Sequence, residues 1–244
     1  MHGGMRLKLR RIYCGLNQMN DLMPDLPRRV ILFTKVPLPG QVKTRLMTCL
    51  SAEECASLQS SFIKDIVRAC LESDAGLYIF YAPAEEITPL KECVPDSARL
   101  YRQEGREIGE RMHNAFCRTL SECRASVLIG SDIPAMSSDT ITRAFEALSL
   151  CDVVLAPSED GGYSLIAMKE PHKFLFSLSH YSTTSVLEET LAKIHESDLS
   201  CILLETCSDV DTEEDLKNLV KDIENGKIDV PETKKFLTAK GFIK

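Results

Sequence analysis

Four aspartates and one Lys-Thr-Arg triplet stand directly after short apolar runs. Asp132 follows Val127 to Ile129 in "GSDIP", and Asp160 follows Val153 to Ala156 in "APSEDGGYSLIAM". Asp209 and Asp211 follow Cys201 to Leu204 in "CSDVDTEEDL", and Lys43, Thr44 and Arg45 end the loop after Val30 to Phe33, "TKVPLPGQVKTRL". A carboxylate at the end of a buried strand is costly unless it is paired or ligates a cation. Side chains at i and i+2 of an extended segment point the same way, so Asp209 and Asp211 could grip one hard cation together. The loop, broken by Pro37, Pro39 and Gly40, offers backbone N–H groups and concentrated positive charge, which suits a polyphosphate. A Walker loop is excluded, because position 42 is Val where that pattern needs Gly.

Each feature has a purely structural alternative. Asp-Gly between two strand-like runs is a common hairpin turn, which would account for Asp160, Gly161 and Gly162. An acid cluster at a helix N-terminus explains Glu213, Glu214 and Asp215 well and Asp209 poorly. The Lys-Thr-Arg loop alone reads equally as a solvated basic loop. Taken together, acids and basic loop form a coherent site for Mg²⁺ or Mn²⁺ and a nucleotide, with the glycines letting the backbone approach a ligand while Asp160 faces the metal and phosphates.

The elements that must position these groups alternate. Strand candidates are Val30 to Phe33, Leu77 to Tyr81, Val127 to Ile129, Val153 to Ala156, Leu165 to Met168 and Cys201 to Leu204. Helix starts are expected at Ser51 with Glu54, Ser185 with Glu188 and Thr212 with Asp215. In the first helix Cys55, Leu58, Phe62, Ile66 and Ala69 recur at helical spacing, so one face is buried. Alternation of this kind predicts a single α/β domain over residues 28–244: a mostly parallel sheet with helices on both faces, and ligands gathered outside the carboxyl ends of the strands.

The chain of 244 residues is 44% apolar and carries 29 − 36 = −7 formal charges. Residues 1–29 hold six basic and two acidic side chains, 6 − 2 = +4, which leaves −11 for the rest. A body so acidic repels nucleic acid, and an anionic ligand needs a local cationic cluster. Residues 1–27 read as a flexible basic leader without the apolar run of a secretory signal or membrane span, and Met1, Met19 or Met23 could each be the start. The ten cysteines include no Cys-x-x-Cys pair and read as buried small hydrophobes in a reducing cytoplasm.

The segments "VILFTKVPLPGQVKTRL", "RQEGREIGERM", "LIGSDIPAM", "APSEDGGYSLIAM" and "DVDTEEDL" together resemble the nucleotide-diphospho-sugar transferase superfamily with its GT-A-like fold, over about residues 28–220. Within it the likeness is to a bacterial and archaeal group labelled glycosyltransferase or selenodomain-associated transferase. The group is similar to the guanylyltransferases that make the precursor of the deazaflavin cofactor. The resemblance implies Asp132, Asp209 and Asp211 as metal ligands and Lys43 and Arg45 as phosphate contacts. It places Gln103, Gly105 and Gly109 near the base or sugar, and Gly161 and Gly162 in the acceptor pocket. Pro39, Gly40, Thr44 and Tyr163 complete the expected nucleotide and substrate contacts. Tyr181, Ser182 and Thr183 stand where relatives often show Trp-Ser-Thr, and Ala156 and Ala167 replace glycines, so the acceptor is left open.

The expectation is a Mg²⁺-dependent transferase acting on a nucleotide or nucleotide-sugar and a small-molecule acceptor, with glycosyl transfer favoured. Nucleotidyl transfer is the first alternative, and a non-catalytic nucleotide-binding regulator the second. Lys43, Arg45 and Asp160 are the expected catalytic residues. Glycosyl transfer to a hydroxyl needs a general base, for which Asp160 and His180 are the candidates. A homo-oligomeric state is left open.

Overall fold

The computed structural model describes residues 27–83, 85–178, 181 and 184–243. The leader expected over residues 1–27 lies outside this range except for Pro27, as do His180, Ser182 and Thr183.

Seven strands form one sheet in the order β3-β2-β1-β4-β6-β5-β7. They are β1 (Arg28–Lys35), β2 (Gly76–Ala82), β3 (Arg99–Arg102), β4 (Ala125–Gly130), β5 (Val153–Pro157), β6 (Tyr163–Met168) and β7 (Cys201–Leu203). β1 runs parallel to β2 and β4, β2 to β3, and β5 to β7, while β6 lies antiparallel between β4 and β5. The expected six strands all form. The seventh, β3, escapes the apolar-run criterion because its sequence RLYR keeps charged residues at both ends of an edge strand.

The inner strands β1, β2, β4, β5 and β6 are buried on both faces, so successive side chains feed two cores. Val30, Leu32, Ile79, Val127 and Ile129 pack beneath α1 (Ala52–Glu72) and α4 (Ser138–Ala147). Ile31, Phe33, Phe80, Leu128 and Ile166 pack with Met112 and Phe116 of α3 (Ile108–Leu120) and Ile194 of α5 (Val186–Glu196). A short helix, α2 (Thr88–Lys91), follows β2. The face read for α1 is the buried one: Cys55, Leu58, Phe62, Ile66 and Ala69 are each at most 5% exposed.

Two of the three expected helix starts form reciprocal capping boxes, Ser51 with Glu54 and Thr212 with Asp215. Ser185 does not; its hydroxyl donates to Glu189 Oε1 at 2.9 Å and makes no cap bond. The Cys55, Cys70, Cys93, Cys123 and Cys151 thiols are buried and unpaired, and no helix among the described residues is long and apolar enough to cross a membrane.

A third core sits at the end of the sheet next to the Lys-Thr-Arg loop. It joins Leu46 and Leu50 to α1 and to the closing helices α6 (Glu213–Glu224) and α7 (Pro231–Ala239) through Leu58, Phe62, Leu216, Leu219 and Leu237. Asp65, 2% exposed, anchors α7 by accepting hydrogen bonds from the Glu232 and Thr233 amides at 3.0 and 2.8 Å. Burial raises its pKa more than those bonds lower it. The folded state therefore binds its proton more readily than the unfolded chain, and Asp65 contributes less stability as pH rises through its folded pKa. Asp65→Ala strips the first turn of α7 of its acceptor and should cost about 1–3 kcal/mol in urea unfolding. Asp65→Asn, neutral at every pH, should cost less and flatten the dependence of stability on pH.

Candidate active site

The loop after β1 is shaped by its own sequence. Pro39 and Gly40 occupy the central positions of a turn closed by the Gln41 amide donating to Leu38 O at 3.0 Å, with Gly40 at φ +73°. Lys43 then takes a left-handed conformation, φ +48° and ψ +37°, unusual for a residue with a Cβ. Its carbonyl accepts from the Leu46 amide at 2.8 Å, opening the short 3-10 turn Thr44–Thr48. Val42 and Leu46 bury into the protein on either side.

Lys43 is thereby aimed inward. Its side chain is 1% exposed, and its Nζ lies 2.5 Å from Asp132 Oδ1 and 3.0 Å from Asp211 Oδ1, whose side chains are 52% and 42% exposed. The ammonium also stands 5.4 Å from the centre of the Phe62 ring, on the buried face of α1. Three distant segments meet at one nitrogen. The end of β4 and the loop before α6 are further joined by the Val210 amide, which donates to Asp132 O at 2.9 Å.

Around this bridge is a cleft of about 170 Å³ lined by Lys35, Thr44, Arg45, Gln59 and Ser131 as well as Lys43, Asp132 and Asp211. Lys35 and Arg45 are exposed, and neither side chain makes an ion pair or hydrogen bond among the described residues. Gln59, 2% exposed, donates Nε2 to Ser131 Oγ at 2.9 Å, while its Oε1 is buried without a hydrogen-bond partner among the described residues. Lys35, Gln59 and Ser131 were absent from the sequence-derived site. Lys35 could have been found as the last residue of β1, and Gln59 as a polar residue next to Leu58 on the buried stripe of α1.

Asp209 lines the adjoining cavity of about 630 Å³ with Pro134, Thr140, Glu159 and Asn218. Burial raises its pKa, and the nearby charges of Asp211 and Asp160 raise it further. Asp209 and Asp211 thus share an electrostatic neighbourhood but open onto different spaces. Asp160 is exposed, and its Oδ1 accepts from the Gly162 amide at 3.0 Å and from the Ser158 hydroxyl.

Those bonds belong to a hairpin turn between the antiparallel β5 and β6, so the turn alternative accounts for the local geometry. Gly161, at φ +88°, has no room for a Cβ, which would meet Thr184 O at 2.2 Å. The Tyr163 hydroxyl is buried beside Tyr181, without a hydrogen bond of ordinary geometry among the described residues. Burial raises the pKa of both phenols.

The remaining expected contacts are spread along the same sheet edge. Gln103 Nε2 donates to Phe80 O at 3.0 Å and Thr34 O at 3.4 Å, tying the ends of β2 and β1. Gly105, at φ +134°, accepts from Arg111 Nε at 3.0 Å and so straps its loop to α3. Gly109 lets α3 approach Phe176 and Tyr181; a Cβ there would meet Phe176 O at 2.3 Å. Pro39 and Gly40 are exposed at the loop tip and do not line the cleft.

Among the described residues no three His, Cys, Asp or Glu side chains converge closely enough to hold a metal ion by themselves. The donors present are hard carboxylate oxygens, and Mg²⁺ is commonly held by one or two carboxylates together with substrate phosphates and waters. Asp132 and Asp211, already converging on one positive charge, fit that donor set, and Asp209 lies near Asp211, whose charge raises its pKa.

Residues 66–183 match the profile of a family described as "Uncharacterized protein conserved in bacteria (DUF2064)". The chain is 26% identical over 184 residues to the 2-phospho-L-lactate guanylyltransferase of Methanocaldococcus jannaschii, covering 72% of this chain and 76% of that one. It is 24% identical over 216 residues to the enzyme of the same name from Methanobrevibacter ruminantium, covering 83% and 87%. A solved structure from Desulfovibrio desulfuricans G20, assigned to the nucleotide-diphospho-sugar transferases, superposes with a TM-score of 0.80 at 27% identity, covering 88% of this chain and 96% of that one. The fold is that of the nucleotide-diphospho-sugar transferases, and the chain is distantly related to the 2-phospho-L-lactate guanylyltransferases.

Proposed function

We propose that the protein is a Mg²⁺- or Mn²⁺-dependent nucleotidyltransferase that moves a nucleotidyl group from a nucleoside triphosphate to a small-molecule acceptor. The observation that carries this reading is the cleft at the strand ends, where Lys43, Lys35 and Arg45 gather around Asp132 and Asp211 in an acidic body. The distant guanylyltransferase relatives support it. Lys35 and Arg45, without an ion pair or side-chain hydrogen bond among the described residues, would hold the triphosphate oxygens. Asp132 and Asp211 would hold the metal, which when bound neutralises charge on the phosphates, and Asp209 would add negative charge from the adjoining cavity. Lys43 would stabilise the leaving pyrophosphate.

Transfer to a phosphate or carboxylate acceptor needs no strong general base. Asp160 then serves to shape the hairpin and to add negative charge near the metal acids. Glycosyl transfer, favoured from the sequence, remains the second reading; the observation in its favour is the exposed position of Asp160 beside Asp209, where a base could stand.

Pyrophosphate release from nucleoside triphosphates, compared with nucleotide release from nucleotide-sugars in a panel of acceptors with Mg²⁺, tests the choice directly. The first should be the productive reaction. Asp132→Asn should abolish Mg²⁺-dependent nucleotide binding in calorimetry and, because it removes one of the two charges that compensate the buried Lys43 ammonium, should also lower the melting temperature. Arg45→Ala should weaken triphosphate binding by about tenfold and monophosphate binding far less, since a phosphate contact counts phosphates. Equal losses for mono-, di- and triphosphate would remove Arg45 from the phosphate site. In the pH–rate profile, Asp160→Asn should lower the rate and keep the acidic limb; loss of that limb would identify Asp160 as a base and favour glycosyl transfer.

A further inference from the structure

The Lys43 ammonium is enclosed by protein and compensated by two carboxylates that are themselves half open to solvent. A buried ammonium deprived of its partners is strongly unfavourable, so Asp132 and Asp211 are not free to leave it. A divalent cation drawing on the same two carboxylates would strand that charge unless another anion reached Lys43 at the same time. A triphosphate is such an anion, and Lys43 lines the cleft proposed to receive it.

We propose, building on the nucleotidyltransferase reading, that Lys43 is an internal competitor for the metal site. It holds Asp132 and Asp211 as a tethered cation until nucleotide phosphate takes over its charge. Metal and nucleotide then bind as a coupled pair, and the protein discriminates against the divalent cation alone. The coupling is reciprocal, because whatever favours release of the carboxylates by Lys43 favours both ligands. The backbone supports this role. The left-handed conformation at Lys43 and the buried Val42 and Leu46 on either side fix the base of the side chain. Only the ammonium end can exchange partners, over the face of Phe62.

The proposal predicts an effect opposite in sign to that of losing a simple phosphate contact. Titration of Mn²⁺ alone, followed by the loss of the free-ion electron paramagnetic resonance signal, should show weak binding by the wild type. Lys43→Met should bind Mn²⁺ about tenfold more tightly in the absence of nucleotide, while losing affinity for nucleoside triphosphate. Lys43→Arg keeps the tethered charge and should bind Mn²⁺ as weakly as the wild type. Lys43→Gln, neutral but able to donate to either carboxylate, gives the same comparison if Met lowers the melting temperature. Unchanged or weaker Mn²⁺ binding by a folded neutral variant would overturn the competition, even if the wild type binds Mn²⁺ with nucleotide. A gain in Mn²⁺ affinity with no nucleotide binding by the wild type would retain the competition and overturn the nucleotidyltransferase reading instead.

Discussion

The ammonium of Lys43, buried between Asp132 and Asp211, is the interaction on which the rest of the site depends. It requires the loop after β1 to turn inward, the end of β4 to stop at Asp132, and the segment before α6 to return across the sheet edge. Each requirement has a local cause. The Pro39-Gly40 turn and the left-handed Lys43 redirect the first segment. Ile133, buried just after Asp132, pins the second, and the Thr212–Asp215 capping box fixes the third as it enters α6. The third core, from Leu46 through Phe62 to α6 and α7, holds the segments against one another. The packing of the closing helices thereby reaches the candidate site through α1.

The electrostatics follow from this placement. The body beyond residue 29 is strongly acidic, yet the cleft carries three cationic side chains against two acids, Lys35, Lys43 and Arg45 against Asp132 and Asp211. That local reversal of charge is what an anionic ligand requires. On the other side of Asp211 the balance is negative: Asp209 is disfavoured as an anion by burial and by the charges of Asp211 and Asp160. A site with a cluster of cations on one flank and an excess of carboxylates on the other matches the needs of the proposed metal–nucleotide complex, whose two components carry opposite charge.

Much of this architecture was legible in the sequence, because burial of the sheet on both faces leaves continuous apolar runs and because α1 repeats its apolar face at helical spacing. β3 was not, since an edge strand can keep charged residues at its ends. The sequence also placed Lys43, Asp132 and Asp211 at strand ends and therefore in one neighbourhood. It could not place Lys43 on the carboxylates themselves: 168 residues separate Lys43 from Asp211, and the inward aim depends on a left-handed residue that is neither Gly nor Asn. The i, i+2 spacing of the acids after β7 makes them look like one pair, whereas Asp211 lines the Lys43 cleft and Asp209 the neighbouring cavity. Gly161 has two available meanings; its φ of +88° and the Thr184 carbonyl against it account for the glycine in the turn.

The most direct measurement is anomalous diffraction from crystals grown with Mn²⁺ and a nucleoside triphosphate analogue. The Mn²⁺ peak should lie against Asp132 and Asp211, with the Lys43 ammonium turned onto the phosphates. Nucleotide bound away from this cleft, or Mn²⁺ bound elsewhere while Lys43 still bridges the two carboxylates, would contradict the assignment of the site.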